Sequence, residues 1–131
     1  MSGAEHRFEV RVYYEDTDMA GIVYYANYLK YIERARSDWV RVLGVDQSAL
    51  RADGVVFAVS RIEADYLSPA RFDDVLEIAT SVVTRSGARV VLNQRVTRDG
   101  TVLFASVVTL VALDQRGRAV RLPAEFRRRL G

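Results

Sequence analysis

The 131-residue sequence contains no cysteine, which excludes disulfide frameworks, thiolate zinc sites and cysteine nucleophiles together. Histidine is almost as scarce. His6 is the single one, and with no second histidine and no cysteine to join it, no metal site is expected. Long apolar runs are missing as well. The most hydrophobic stretch, Val102 to Leu113, is broken by Ser106 and Thr109 and falls short of the roughly 20 residues that cross a bilayer. The opening Met1 to Arg7 carries no uninterrupted apolar segment of secretory length, so a cytoplasmic protein without an integral membrane segment is predicted. Basic charge is present but not massed: eighteen of the nineteen basic residues are arginine, and the formal net charge is only +2. That scatter argues against a nucleic-acid partner. The one dense cluster, Arg127-Arg128-Arg129, sits where cations complement the dipole of a short final helix after Pro123. No repeat, low-complexity tract or linker interrupts the chain, and its length suits one core. A single domain over residues 1–131 is expected.

What is present is a half-hydrophobic, quarter-charged composition of the kind that folds around an apolar interior. Phe8, Val10, Val12 and Tyr14 alternate with Arg7, Glu9, Arg11 and Tyr13, which predicts a strand over residues 7–14 with one buried face. The period changes near Val23. Tyr28, Ile32, Ala35, Trp39 and Leu43 then recur at helical spacing, with Lys30, Arg34, Ser37 and Arg41 opposite, so one long amphipathic helix is predicted to end at Gly44. Four stretches rich in β-branched residues follow, over 55–67, 75–84, 89–98 and 101–113. They are separated by Ser68-Pro69, Ser86-Gly87 and Asp99-Gly100, the last a strong hairpin signal. One helix cannot supply the crossovers of a doubly wound parallel sheet. The prediction is α+β, an antiparallel sheet with one long helix across a face.

The chemistry-bearing stretch runs from Tyr13 to Tyr28, where two carboxylates, a glycine and a helix start come together. Asp18 is expected just before the helix, where unpaired N–H groups and the dipole favour negative charge. Gly21 leaves the backbone open to a ligand. A carboxylate beside an oxyanion-binding helix terminus is the equipment of acyl transfer. The plainer reading is that aspartates here are caps and turn residues, and Asp16 is read that way. Tyr24 and Tyr28 are read as packing residues on one helix face. Glu33 is read as a surface partner of Arg34 or Arg36.

The segment Asp16-Thr17-Asp18-Met19-Ala20-Gly21-Ile22-Val23-Tyr24-Tyr25-Ala26-Asn27-Tyr28, with the later Tyr31-Ile32-Glu33-Arg34-Ala35-Arg36 and Asp65 to Asp74, resembles the 4-hydroxybenzoyl-CoA thioesterase family of hotdog-fold proteins. The Tol-Pal-associated acyl-CoA thioesterases of bacteria are the nearest group within it. Three blocks in order are more specific than any one motif. The resemblance implies a five-stranded antiparallel sheet wrapped around one long central helix, and hydrolysis of acyl-CoA thioesters without a cofactor. It also implies a homodimer, or a tetramer built as a dimer of dimers, with active sites at the subunit boundary. It assigns Asp18 as nucleophile or general base, and the backbone N–H of Tyr25 as the group that polarises the thioester carbonyl. Arg85 and Arg89, around the Ser86-Gly87 turn, resemble in location the basic residues that hold coenzyme A phosphates. One departure is Tyr25 itself, where the Tol-Pal-associated members usually carry histidine, which bears on acyl preference and leaves the backbone donor in place.

Two further readings compete. A dehydratase or hydratase of the same fold needs an active-site histidine, and His6 lies in the wrong segment. A non-catalytic partner protein of the Tol-Pal cell-envelope machinery would tolerate loss of Asp18.

Overall fold

The computed structural model describes residues 5–131; residues 1–4 of the expected domain lie outside the described residues. Strand β1 spans His6–Arg11 and is followed by a 3-10 turn at Tyr14–Asp16. Helix α1 spans Asn27–Val42, with a short α2 at Gln47–Ala52. Strands β2 (Val56–Tyr66), β3 (Val75–Arg85), β4 (Arg89–Arg98) and β5 (Thr101–Leu113) follow, then a two-residue β6 (Ala119–Val120) and α3 (Ala124–Arg129).

The sheet is antiparallel in the order β1-β3-β4-β5-β2. β6 is a sixth strand that sequence periodicity did not disclose; it pairs with Ala112 and Leu113, just past Val111, the partner of Arg89. The remaining strands fall within a few residues of expectation. β1 is the shortest match, because Tyr13 and Tyr14 leave the ladder. The Tyr13 N–H donates to Asp16 Oδ2 at 2.8 Å, and the Asp16 N–H donates back to the Tyr13 carbonyl at 2.9 Å. Local turn bonds outcompete two more residues of pairing.

Alternate residues of β3, β4 and β5 point to one side and bury Leu76, Ile78, Val90, Leu92, Val96, Phe104, Val108 and Leu110 against the helix, and Leu103 is buried as well where the β4–β5 register shifts. The helix contributes Tyr28, Tyr31, Ile32, Ala35, Trp39 and Val40; Leu43 is only partly buried. Through this apolar layer runs one polar row. Thr80, Gln94 and Ser106 stand opposite one another on β3, β4 and β5 and are all buried. Gln94 Nε2 donates to Thr80 Oγ1 and to the Ile32 carbonyl of α1, each at 2.9 Å, and its Oε1 accepts from Arg36 at 2.9 Å. Burying an amide is costly unless its valences are met. Here they are met by bonding the centre of the sheet to the centre of the helix.

Gly44 ends α1 as expected, at φ +89°. The start differs. α1 begins at Asn27, four residues past Val23, because Val23 is bridged to Thr17 and donates its N–H to the Ala70 carbonyl at 2.8 Å. Among the described residues, no helix is long and apolar enough to cross a membrane.

Candidate active site

Asp18 begins a tight loop closed by the Thr17–Val23 bridge. Its N–H donates to the Ile22 carbonyl at 2.9 Å, and its carbonyl accepts the Gly21 N–H at 3.0 Å. Its Oδ1 accepts the Ala20 N–H at 2.9 Å, an Asx turn of the kind aspartate favours. Gly21 has φ +80° and nothing within 4 Å of where a Cβ would stand. Its requirement in this chain is the left-handed backbone of the turn.

Asp18 does not abut α1 in sequence as expected, since the helix starts nine positions later. Folding nonetheless brings it to the helix entrance. Asp18, Tyr25, Tyr28, Tyr66, Leu67 and Pro69 line a common cleft of about 400 Å³. Asp18 is exposed there, and among the described residues it makes no ion pair; its Oδ2 accepts no hydrogen bond. Tyr25 stands two residues before Asn27, where α1 begins. Its backbone N–H, like that of Ala26, meets no acceptor among the described residues, whereas those of Tyr24 and Asn27 are bonded. The cleft therefore holds a carboxylate and, at the helix entrance, a residue whose backbone N–H meets no acceptor among the described residues.

The floor is aromatic. Tyr28 stacks on Phe104 with ring centroids 4.9 Å apart, and Tyr66 meets both edge-on, at 5.5 Å and 5.0 Å. Burial pushes the Tyr28 hydroxyl above the ordinary tyrosine range. Tyr28 is a packing residue as read, though its neighbour is Phe104. Tyr24 lies outside the helix, exposed, with its ring against Tyr25 at 5.0 Å. Sequence reasoning missed Tyr66, whose hydroxyl donates to the Tyr25 carbonyl at 2.9 Å. A tyrosine closing an exposed strand gives no such signal on its own.

It also missed the brace behind Pro69. Asp74 Oδ2 accepts from the Arg71 N–H at 2.8 Å and from Arg98 at 2.7 Å, and Arg98 reaches the Pro69 carbonyl at 3.4 Å. Burial raises the Asp74 carboxyl, but the Arg71 N–H and the Arg98 guanidinium overcome it and hold it below the ordinary range. A value depressed by folding stabilises fully above the unfolded value near 4 and is lost as pH falls through the folded one. Asp74→Asn should thus lower Tm at neutral pH, with the gap to the parent closing below about pH 4. Thermal melts across pH check this, and a gap that persists undiminished in acid would contradict it.

Other expected residues land elsewhere. Glu33 accepts the Ser37 hydroxyl at 2.7 Å, and Arg36 turns inward to Gln94, so the surface pair does not form. His6 Nε2 meets Asp38 Oδ2 at 2.8 Å. Arg85 and Arg89 are not brought to Asp18 within one chain. They flank the β3–β4 turn, and β3 leads away from the cleft over ten residue steps, about 33 Å. Arg85 there donates to the Gly131 carbonyl.

A family model described as the thioesterase-like superfamily matches residues 12–130. The acyl-CoA thioester hydrolase YbgC of Escherichia coli O6:H1 is 42% identical over 109 residues, covering 82% of this chain and 81% of that protein. The acyl-CoA thioesterase YbgC of Haemophilus influenzae is 37% identical over 122 residues, covering 92% and 90%. A probable thioesterase from Bartonella henselae, of known crystal structure, superposes with a TM-score of 0.87 at 34% identity, over 92% of this chain and 100% of that one. The helix-wrapping antiparallel sheet described above is their hotdog fold, and by sequence and architecture alike this chain belongs to the thioesterase-like superfamily.

Proposed function

We propose that this protein, acting as one domain per chain, hydrolyses acyl-CoA thioesters to the free acid and coenzyme A, with Asp18 as the working carboxylate. The observation that carries the roles is the pairing of an exposed, cation-free Asp18 with the unengaged Tyr25 N–H in one largely apolar cleft. Such a donor, next to a helix start, stabilises the oxyanion that forms as the thioester carbonyl is attacked. Asp18 acts in one of two ways. It adds to the carbonyl carbon and expels coenzyme A thiolate, leaving a mixed anhydride that water cleaves, or it takes a proton from a water that attacks directly. Either route consumes one water and returns the acid and the protonated thiol.

Tyr66 supports the donor residue from the next peptide unit, by holding the Tyr25 carbonyl. Losing one such bond costs about 1 kcal/mol, so Tyr66→Phe should lower kcat/KM by about 5-fold. Steady-state thiol release measures it, and an unchanged value would mean the contact is idle.

The unit of function is a homodimer. β2 is an 11-residue strand at the sheet edge, with Val59, Ile62, Tyr66 and Leu67 exposed, and long edges of this kind invite a second strand. Antiparallel pairing of two copies about a twofold axis would carry the Arg85–Arg89 end of one copy toward the Asp18 end of the other. That accounts for arginines suited to coenzyme A phosphates lying so far from Asp18 in one chain. A cytoplasmic location fits the substrate. The test is thiol release from short-chain, long-chain and aromatic acyl-CoAs by the parent and by Asp18→Asn. Equal rates in the two would reject the role of Asp18, and no release by either would favour the non-catalytic partner reading.

A further inference from the structure

We infer that Asp16, the neighbour of the working carboxylate, is a positioning residue that holds the Tyr25 N–H in register with Asp18; this rests on the hydrolase reading above. Asp16 is 8% exposed, too deep for an ordinary turn aspartate. Its Oδ2 accepts the Tyr13 N–H at 2.8 Å, which accounts for the turn. Turn formation does not account for Oδ1, which reaches across eleven positions to accept from the Asn27 side chain at 2.7 Å. Asn27 is the first residue of α1 and is itself buried.

The consequence falls on one peptide unit. The Tyr24 N–H donates to the Asp16 carbonyl at 2.9 Å, and the Tyr24 carbonyl accepts the Asn27 N–H at 2.8 Å. Asp16 thus holds the residue on one side through its main chain and, through Asn27, on the other. The peptide joining Tyr24 to Tyr25 is planar and trans, so fixing its carbonyl toward Asn27 aims the Tyr25 N–H the opposite way. Asp16 also sits two residues before Asp18, directly ahead of Thr17, which the bridge to Val23 ties down. One buried side chain thereby sets both halves of the site against each other. Burying a carboxylate without a cation is a poor way to gain stability, and orientation is what this one supplies.

The test exchanges the two side chains. Asn27→Asp sets two carboxylates face to face. Adding Asp16→Asn lets the new amide donate to the carboxylate at 27 while its oxygen still accepts from Tyr13, so both hydrogen bonds return. Asn27→Asp should lose about 100-fold in kcat with KM little changed, as expected for a misaimed donor, and the double variant should recover most of it. An independent readout uses a ketone analogue of acyl-CoA, with a methylene in place of the sulfur, which cannot be hydrolysed. Its carbonyl stretch should be lowered on binding to the parent and the double variant, and return toward the solution value in Asn27→Asp. If Asn27→Asp does not fold, Asp16→Ala takes its place with the same expectations. Parent-like kcat and stretch in the single variant, or a double variant that melts like the parent yet stays slow, would overturn the inference. Asp18→Asn is assayed alongside. Parent-like hydrolysis by that variant would strike the reading of Asp18, while the ketone stretch would still report on Asp16.

Discussion

Asp18→Asn is expected to lower kcat for acyl-CoA hydrolysis by at least ~100-fold, since a positioned base or nucleophile contributes at least that much. In free energy this is about 2.7 kcal/mol of transition-state stabilisation. KM should move little, because the side chain acts on the reacting carbon and contributes little to holding coenzyme A. The substitution suits the test. Asparagine still offers an oxygen to the Ala20 N–H, so the Asx turn that shapes the loop survives, and Tm should stay at the parent's value. Single-turnover hydrolysis in ¹⁸O-labelled water then separates the two chemistries. A nucleophilic Asp18 whose anhydride water cleaves at the aspartyl carbon delivers its own unlabelled oxygen to the first molecule of acid and takes up the label itself, whereas a general base delivers labelled oxygen from the start and leaves Asp18 unlabelled. Turnover at the parent rate by the asparagine variant would end the assignment.

Placing lysines at Val59 and Ile62 is expected to yield a single-chain species with kcat/KM reduced by ~100-fold or more. Both side chains are exposed on the edge strand, and lysine on an edge is a standard block to strand addition. Two arginine contacts to phosphate are worth about 1.5 to 3 kcal/mol each, so a chain deprived of its partner's Arg85 and Arg89 loses binding first. The signature is therefore a raised KM, opposite to that of Asp18→Asn. Light scattering gives the mass, and kinetics across a dilution series gives the rest. A lone chain with full activity would overturn the shared site.

Much of the fold was legible because its periods are clean. β4 alternates along most of its length and β5 from Phe104 onward, and Asp99-Gly100 turns between them where the sequence places a hairpin. The long helix was legible from Tyr28, Ile32, Ala35 and Trp39. Its start was not, because the period changes near Val23 while long-range partners, Arg71 and Ala70, hold Ile22 and Val23 in extended backbone ahead of the helix. β6 is too short to show a period. In the site, Asp18 and Tyr25 stood out through the motif that surrounds them. Tyr66, Asp74 and Arg98 come from strands and turns 40 or more positions after Asp18, and their contacts arise only when the sheet folds over the helix. Asp16 stands in the turn expected of it; local spacing reveals that turn, and only burial and the reach to Asn27 add the rest.

The buried row Thr80–Gln94–Ser106 sets a limit on how this scaffold can be remodelled. Oily contacts between a helix and a sheet tolerate sliding, because one leucine neighbour is much like the next. An amide that must find the Ile32 carbonyl does not, since a shift of even one residue strands it in a dry interior. Gln94→Leu should then free the helix to shift and also lower Tm, because it leaves the Arg36 guanidinium, the Thr80 hydroxyl and the Ile32 carbonyl without the partner they share; calorimetry measures the loss. The fixed seat of the helix and the stability of the fold would be given up together.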